Sequence, residues 1–343
     1  MMTLIGIVTI LLVLLVAWQL IRIAELSAEI KKENLTGLPN VKENDVQGKL
    51  LFGFLIFLMA GFLYTVVAWG PKVLPTPASV HGEKTEFLFY LSLGIITAAF
   101  LITQPILFYF SYKYRGIKGR KASYMEHNNK LELIWTLVPG AVLVLLISYG
   151  LATWVRIMNP KFDEDPIVIE LYAKQFGWTA RIAGEDNKLG YANVRYIEDV
   201  NILGIDKNDP NGLDDIVVQN LIKIPVNKPI KLKMRSQDVI HSAYLPHFRL
   251  QMNCVPGAIT EFSFIPNKTT AEMRNDPMVV RQVSEINNIR TAKGEDPYEF
   301  NYILLCNKIC GSAHYNMQMV FEVVSEEEYK DWLKEQKTFA QSI

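Results

Sequence analysis

The chain of 343 residues has no surplus of charge and very little cysteine. Lys and Arg number 35 and Asp and Glu number 35, so the formal net charge is zero and the electrostatic footprint of a nucleic-acid binder is missing. Only three cysteines are present, none before Cys254, which excludes lipid attachment to a thiol near the N-terminus. The first apolar run has no basic segment ahead of it and no clear small-x-small site after it. It is therefore expected to stay in place as a helix instead of being removed as a signal peptide. The common zinc signatures follow Cys-x2-4-Cys with His-x3-5-His, whereas here Cys306-x3-Cys310 is followed by His314 and then Met317.

What the chain does have is hydrophobic length. Half of its residues are apolar, and they concentrate in four stretches, Thr3–Ile23, Leu50–Trp69, Phe87–Tyr112 and Leu131–Val155. Each exceeds about 18 residues with few charges, the length needed to cross a hydrocarbon layer. A multi-pass membrane protein follows. The loop 113–130 carries Lys113, Arg115, Lys118, Arg120, Lys121 and Lys130, and the loop 24–49 carries Lys31, Lys32, Lys42 and Lys49. Short basic loops stay on the cytoplasmic side. That places the N-terminus, the loop 70–86 and everything after about residue 156 outside.

The outer part reads as β structure. Short runs rich in β-branched residues occur at 166–172, 220–225, 229–235, 260–265, 300–305 and 319–324, punctuated by Pro, Gly and Asn. This predicts a small β-sandwich or barrel. Two polar stretches, 184–215 and 267–298, interrupt it. They read as solvated surface or as a docking face, the second partly helical. The tail Glu326–Ala340 predicts an amphipathic helix packed on the domain.

After the run 300–305 comes Cys306-Asn-Lys-Ile-Cys310-Gly-Ser-Ala-His314-Tyr-Asn-Met317. Two thiols, an imidazole and a thioether form a soft donor set, which selects copper or zinc over magnesium or calcium. A second histidine, His241, lies in Asp238-Val-Ile-His241-Ser242. Two Cys are one too many for a mononuclear blue-copper site. A tetrahedral zinc site, two coppers bridged by the thiolates, and a Cys306–Cys310 disulfide all remain compatible with the spacing.

Over about 87–325 the chain resembles subunit II of the haem–copper cytochrome c oxidases. The segment Glu126-His-Asn-Asn-Lys-Leu-Glu132-Leu-Ile-Trp135-Thr-Leu-Val-Pro139 is similar to the start of that family's second membrane helix. Gln175-Phe-Gly-Trp178 is similar to its aromatic motif, and Val255-Pro-Gly257 to part of its first ligand loop. The resemblance implies two extra transmembrane helices with a cytoplasmic loop over 1–70 and a transmembrane hairpin over 71–156. A periplasmic, all-β, cupredoxin-like domain follows over 157–325, with a tail at 326–343. It implies a dinuclear CuA centre of two copper ions, bridged by Cys306 and Cys310, with His241 and His314 as terminal ligands. Met317 would be the weak axial ligand and the carbonyl of Lys308 the last one. Electrons would come from cytochrome c, or a cytochrome c domain of another complex, and pass to haem in subunit I, where O2 is reduced and protons are translocated. Subunits I and III and membrane lipid are the implied partners, and the bacterial inner membrane the implied location.

Three positions qualify the resemblance. Lys308 stands where the family has a Glu that helps bind magnesium at the subunit I interface, and a charged lysine cannot ligate that ion, which leaves the magnesium site in doubt. Phe176 stands where the family has the Trp that receives electrons, while Trp178 matches the second Trp; electron uptake is expected at Phe176 and Trp178, with another entry route, and a plain core role for Trp178, as the alternatives. Glu132 matches a glutamate of a proton-uptake channel, though acids also favour helix starts. A quinol-fed relative is disfavoured because such proteins lack the copper ligands, and a non-redox, zinc-holding structural subunit is the alternative. Cys254 is expected as a buried thiol and His247 as a bystander. His81 and His127 are expected as solvated loop residues. The two additional helices would serve as an anchor or as contacts with other subunits.

Overall fold

The computed structural model describes residues 2–32, 41–117 and 119–343. The four apolar runs form four helices, α1 (Met2–Lys32), α2 (Val41–Trp69), α3 (Val80–Lys113) and α4 (Asn129–Met158). Each is long and apolar enough to cross a membrane. Lys118 and the side chains of Lys31, Lys32 and Lys42, which enter the charge argument above, lie outside the described residues.

Two units make up the chain. The first comprises residues 1–65 and 99–126. In it α2 packs on the second half of α3 through aromatic pairs, Phe52 with Tyr112, Phe54 with Phe108 and Phe62 with Phe100, at centroid distances of 5.0–5.5 Å. Arg115 donates to Asp45 at 2.8 Å and lies 4.2 Å from the Tyr112 ring. The second unit comprises residues 66–98 and 127–343. Its helix α4 starts at a cap, the Asn128 side chain accepting from the Leu131 N–H at 3.1 Å, with Glu132 in the first turn.

Ten strands follow α4: β1 (Ile167–Lys174), β2 (Gly177–Ile182), β3 (Ile216–Gln219), β4 (Leu221–Pro225), β5 (Ile230–Ser236), β6 (His241–Leu245), β7 (Leu250–Cys254), β8 (Thr260–Phe264), β9 (Tyr302–Cys306) and β10 (Gln318–Val324). They form two five-stranded sheets, in the orders β3-β2-β1-β5-β8 and β4-β10-β9-β6-β7. The pairs β1–β5 and β4–β10 are parallel and the others antiparallel. Inward residues of both sheets, among them Ile169, Leu171, Leu232, Leu304 and Phe321, make one core. This is the cupredoxin-like sandwich that was expected. All six predicted runs are strands; β2, β3, β6 and β7 were not anticipated.

The stretch 184–215 is not simply solvated surface. Asn201, Leu203, Ile205 and Asp215 are buried, and the segment covers the outer face of β1 and β2. An ionic cluster fastens it. Arg181 lies 2.9 Å from Glu170 and donates to Asp215 at 3.1 Å and to the Gly190 carbonyl at 3.0 Å. Arg235 binds both Glu170 oxygens and the Leu203 carbonyl, above the Tyr172 ring. Glu170 faces both arginines, and Asp215 faces Arg181, so each buried cation meets an acid. The stretch 267–298 contains α5 (Thr270–Arg274) and α6 (Pro277–Ala292). The tail forms α7 (Glu326–Glu335) and α8 (Phe339–Ser342), with Tyr329 and Phe339 buried.

The segment before α3 is docked on the sandwich. Its backbone bonds run from Ala78 N to His247 O, from Val80 N to Ile265 O and from Asn267 N to Ala78 O, at 2.8–3.1 Å. Arg249, at φ 52°, donates to the carbonyls of Pro75 and Pro246 and to Glu86 of α3. The sandwich is thus held to the outer end of α3 by side-chain and main-chain bonds.

Burial pushes the Asp215 carboxyl up to about 7, against the pull of Arg181. Unfolded, such a group titrates near pH ~3.9. Between those values the folded state holds a proton that the unfolded chain has released. This group's contribution to stability is therefore full below about pH 4 and is lost as pH rises through about 7. Asp215→Asn should remove that slope. Melting temperatures measured from pH 4 to 8 should move in the variant's favour by roughly 2–4 °C or more relative to the parent; a constant gap would contradict the assignment.

Candidate metal centre

Strand register brings the donors together. Ala243 of β6 pairs with Cys306 of β9, so His241, at the start of β6, and Cys306, at the end of β9, share one end of the sandwich. The loop 307–317 leaves β9 and returns into β10. The Cys306 N–H bonds the Met317 carbonyl at 3.1 Å and closes the neck of this loop, while the Asn307 N–H bonds the Ser242 carbonyl at 3.0 Å. A 3-10 turn over His314–Asn316 turns His314 back toward Cys310.

Within this loop the Cys306 and Cys310 sulfurs stand 3.8 Å apart, and both cysteines are free. His241 Nδ1 lies 3.8 Å from Cys306 Sγ, and His314 Nδ1 lies 3.5 Å from Cys310 Sγ. The Met317 sulfur is 3.9 Å from Cys310 Sγ, and the Lys308 carbonyl oxygen is 3.2 Å from Cys306 Sγ. Donor atoms of His241, Cys306 and Cys310 all lie within 4.8 Å of one another. Three sulfurs, two imidazole nitrogens and a carbonyl exceed the four donors of a structural zinc site. The arrangement has one imidazole on each thiol, as a pair of metal ions would require, and the donor set fits copper. Burial, with Cys306 beside it, pushes the Cys310 thiol up to about 11, so a metal binding there displaces protons.

The His241 ring is fixed. Its Nε2 lies 2.8 Å from Asp238 Oδ1, and a carboxylate only accepts, so Nε2 carries the proton and Nδ1 turns its lone pair to Cys306. Asp238 is fixed in turn by the N–H groups of Gln175 at 2.8 Å and Val239 at 2.7 Å. Burial pushes this carboxyl up, but the bonds from Gln175, His241 and Val239 hold it below its ordinary value. His241 is fully buried, whereas Ile309 and Tyr315 at the loop surface are 88% and 85% exposed.

The aromatic segment leans on the same loop. Gln175 donates its side-chain amide to the Cys310 carbonyl. Trp178 is buried, its indole N–H 3.4 Å from the Met317 carbonyl and its ring 6.3 Å from His241. Phe176 is 38% exposed, and its ring lies against Gly311. Gly311 has φ 142°, and a Cβ there would come within 2.8 Å of that ring. Asp238, Gln175 and Gly311 were given no role from sequence. The visible signals were an Asp three residues before the ligand histidine and a Gln opening the aromatic motif.

The other singled-out residues lie elsewhere. Glu132 is in the first turn of α4, its carboxylate 3.4 Å from the Asn128 N–H and 3.7 Å from His127 Nδ1. His127 is exposed. His81 is no solvated loop residue: it sits in the first turn of α3, half-buried against Phe262. His247 donates to the Thr76 carbonyl and packs on Phe300 and Tyr302. Cys254 is fully buried opposite His241 on β7, and burial pushes its thiol up to about 12.

A membrane-anchored two-sheet domain with a soft-donor cradle at one end defines a class of candidate metal-binding proteins. Comparison with known proteins narrows it. Models for the transmembrane domain and the periplasmic domain of cytochrome c oxidase subunit II match residues 67–152 and 167–294. The alternative cytochrome c oxidase subunit 2 of Bradyrhizobium diazoefficiens is 32% identical over 259 residues, 75% of this chain and 80% of that protein. Cytochrome c oxidase subunit 2 of Synechocystis sp. is 24% identical over 302 residues, 82% of each chain. A crystal structure of the periplasmic domain of subunit II of cytochrome oxidase from Bradyrhizobium japonicum aligns over 52% of this chain and 95% of that one. Its identity is 21% and its TM-score 0.30, too low to add weight.

The chain belongs to the cytochrome c oxidase subunit II family. It is a multi-pass membrane protein with a periplasmic C-terminal domain and a subunit of an oxidoreductase complex. Helix α1 and nearly all of α2 precede the matched residues, and the loop 306–317 follows them, so the cradle rests on its own geometry.

Gly311→Ala should push the loop off the Phe176 ring. Metal retained after purification should fall several-fold while the far-ultraviolet spectrum stays unchanged, and combining it with Phe176→Ala should recover part of the loss. Full retention in Gly311→Ala would show that the contact does not shape the cradle.

Proposed function

We propose that this chain is the electron-accepting subunit of a respiratory cytochrome c oxidase, taking electrons from cytochrome c and delivering them toward haem in subunit I. The single observation that carries this reading is the pair of free thiols 3.8 Å apart with one imidazole facing each. Cys306, Cys310, His241, His314, Met317 and the Lys308 carbonyl would together hold two copper ions. Bound there, the copper pair would supply a one-electron relay with little change of geometry.

The protein's part is to hold the cradle stiff and dry. Asp238 fixes the tautomer and orientation of His241, as a carboxylate behind a metal-binding imidazole does. Trp178 and Gln175 hold the carbonyls of Met317 and Cys310, one on each side of the loop. Phe176, exposed and in contact with Gly311, offers a donor a path to the loop that ends one residue from Cys310. Trp178 lies behind it and acts as a positioning residue. The charged Lys308 side chain does not suit magnesium. Glu132, at the cytoplasmic start of α4, is assigned to proton uptake.

Cys306→Ser and Cys310→Ser should each abolish electron uptake from reduced cytochrome c while the helices stay in the membrane. Metal analysis of the parent should give two coppers per chain with a mixed-valence electron paramagnetic resonance signal. One zinc and no signal would point to a structural subunit instead. Asp238→Ala should weaken copper binding about 10–100-fold, read by competition with a chelator. Glu132→Gln should slow O2 turnover and proton release without altering copper content; unchanged turnover would leave Glu132 as a helix-start carboxylate only.

A further inference from the structure

Where α3 and α4 reach the outer side, a cavity of about 610 Å3 opens against the base of the sandwich. It lies well inside the size range of small-molecule sites, about 300–1,000 Å3. Its upper wall carries Lys84 from the first turn of α3, Arg156 from the last turn of α4, and Lys161 from the segment leading to β1. None of the three makes an ion pair among the described residues, and no carboxylate lines the cavity. Of the acids close to them in sequence, Glu83 accepts from Asn267, Glu86 from Arg249 and Glu164 from Lys228, while Asp163 and Asp165 are exposed and do not line the cavity.

The lower wall is of another kind. Tyr149 lines it on the membrane side, while Val80, the first residue of α3 and one turn outward of Lys84, lines it beside Phe264 of the sandwich. Tyr149 lies seven residues before Arg156 on α4, so it sits roughly 10 Å deeper along the helix. Three unpaired cations at the level where a membrane-spanning helix ends, above an apolar slot that runs inward along it, make an amphipathic receptor oriented with the bilayer. A soluble anion would leave the slot unfilled, and an uncharged lipid would leave the cations unmatched. Basic pockets between membrane helices hold anionic headgroups on the same grounds.

We propose that this cavity is a binding site for an anionic phospholipid of the outer leaflet, its phosphate between Lys84, Arg156 and Lys161 and the start of an acyl chain along Tyr149. The bound lipid would fill the seam between the two helices and the base of the sandwich. This proposal does not depend on the metal content of the protein.

The test uses the assembled oxidase, extracted in detergent, washed, and analysed for phospholipid by mass spectrometry. The parent should retain one more phosphatidylglycerol-type lipid per complex than the variant K84Q/R156Q/K161Q. A control neutralising the remote cations Arg281, Lys293 and Lys337 should behave as the parent. Each cation near a membrane surface favours an anionic lipid roughly fivefold, so the affinity of the triple variant should fall on the order of 100-fold. Equal retention in parent and variant would overturn the proposal, as would release of the bound phosphorus as inorganic phosphate instead of lipid. Should the triple variant fail to assemble, the parent in phosphatidylcholine nanodiscs gives a second readout. Spin-labelled phosphatidylglycerol should be immobilised there and displaced by unlabelled phosphatidylglycerol but not by inorganic phosphate. Absence of an immobilised fraction would refute the site.

Discussion

Everything at the outer end of this protein depends on one imidazole that cannot turn. His241 is buried on a strand, its Nε2 committed to Asp238 and its Nδ1 left facing Cys306. Free rotation of that ring would cost the cradle one of its two nitrogen donors. The constraint reaches further than the pair. Asp238 is itself bound by the Gln175 N–H, and Gln175 holds the Cys310 carbonyl with its side chain. One carboxylate therefore ties the first donor segment, the aromatic segment and the cysteine loop into a single unit. Such a support fixes donors before any metal arrives, and it costs little to maintain because all its members are neutralised or hydrogen-bonded.

Much of this was legible in the chain. The four helices follow from hydrophobic length alone, and the six strands from short β-branched runs. The donor residues His241, Cys306, Cys310, His314 and Met317 were visible as a soft set, and the structure brings their side chains to one place. What escaped has physical reasons. The β2 sequence Gly-Trp-Thr-Ala-Arg-Ile shows no alternation because both faces are covered, one by the core and one by the polar stretch that follows. The strand β6 opens with His and Ser, residues that lower any hydrophobic reading, because it carries a donor. The segment 70–86 reads as a plain loop, since its docking uses backbone bonds that leave no mark on residue type. The supporting roles of Asp238, Gln175 and Gly311 are tertiary and have no local pattern.

The polar stretch 184–215 shows how composition misleads. Eight acids in that stretch suggest water on every side, yet Asp215 is buried against Arg181, and Leu203 and Ile205 fill a small second core. Charge-rich sequence can cover a sheet when each buried charge meets its opposite. Here Glu170 stands between Arg181 and Arg235, so the outer face of the first sheet is closed by an ionic layer and the inner face by an apolar one. The closed face leaves the donor-bearing end of the sandwich as its most open part.

The Arg249 side chain has a wider consequence. It joins the Pro75 and Pro246 carbonyls to Glu86, at the place where the sandwich meets the top of α3. A domain on a slack tether samples many heights and tilts above a bilayer, and its contacts with neighbours come and go. A domain stapled in this way has one pose. The height at which the donor-bearing end of the sandwich stands above the lipid plane is then set once, during folding.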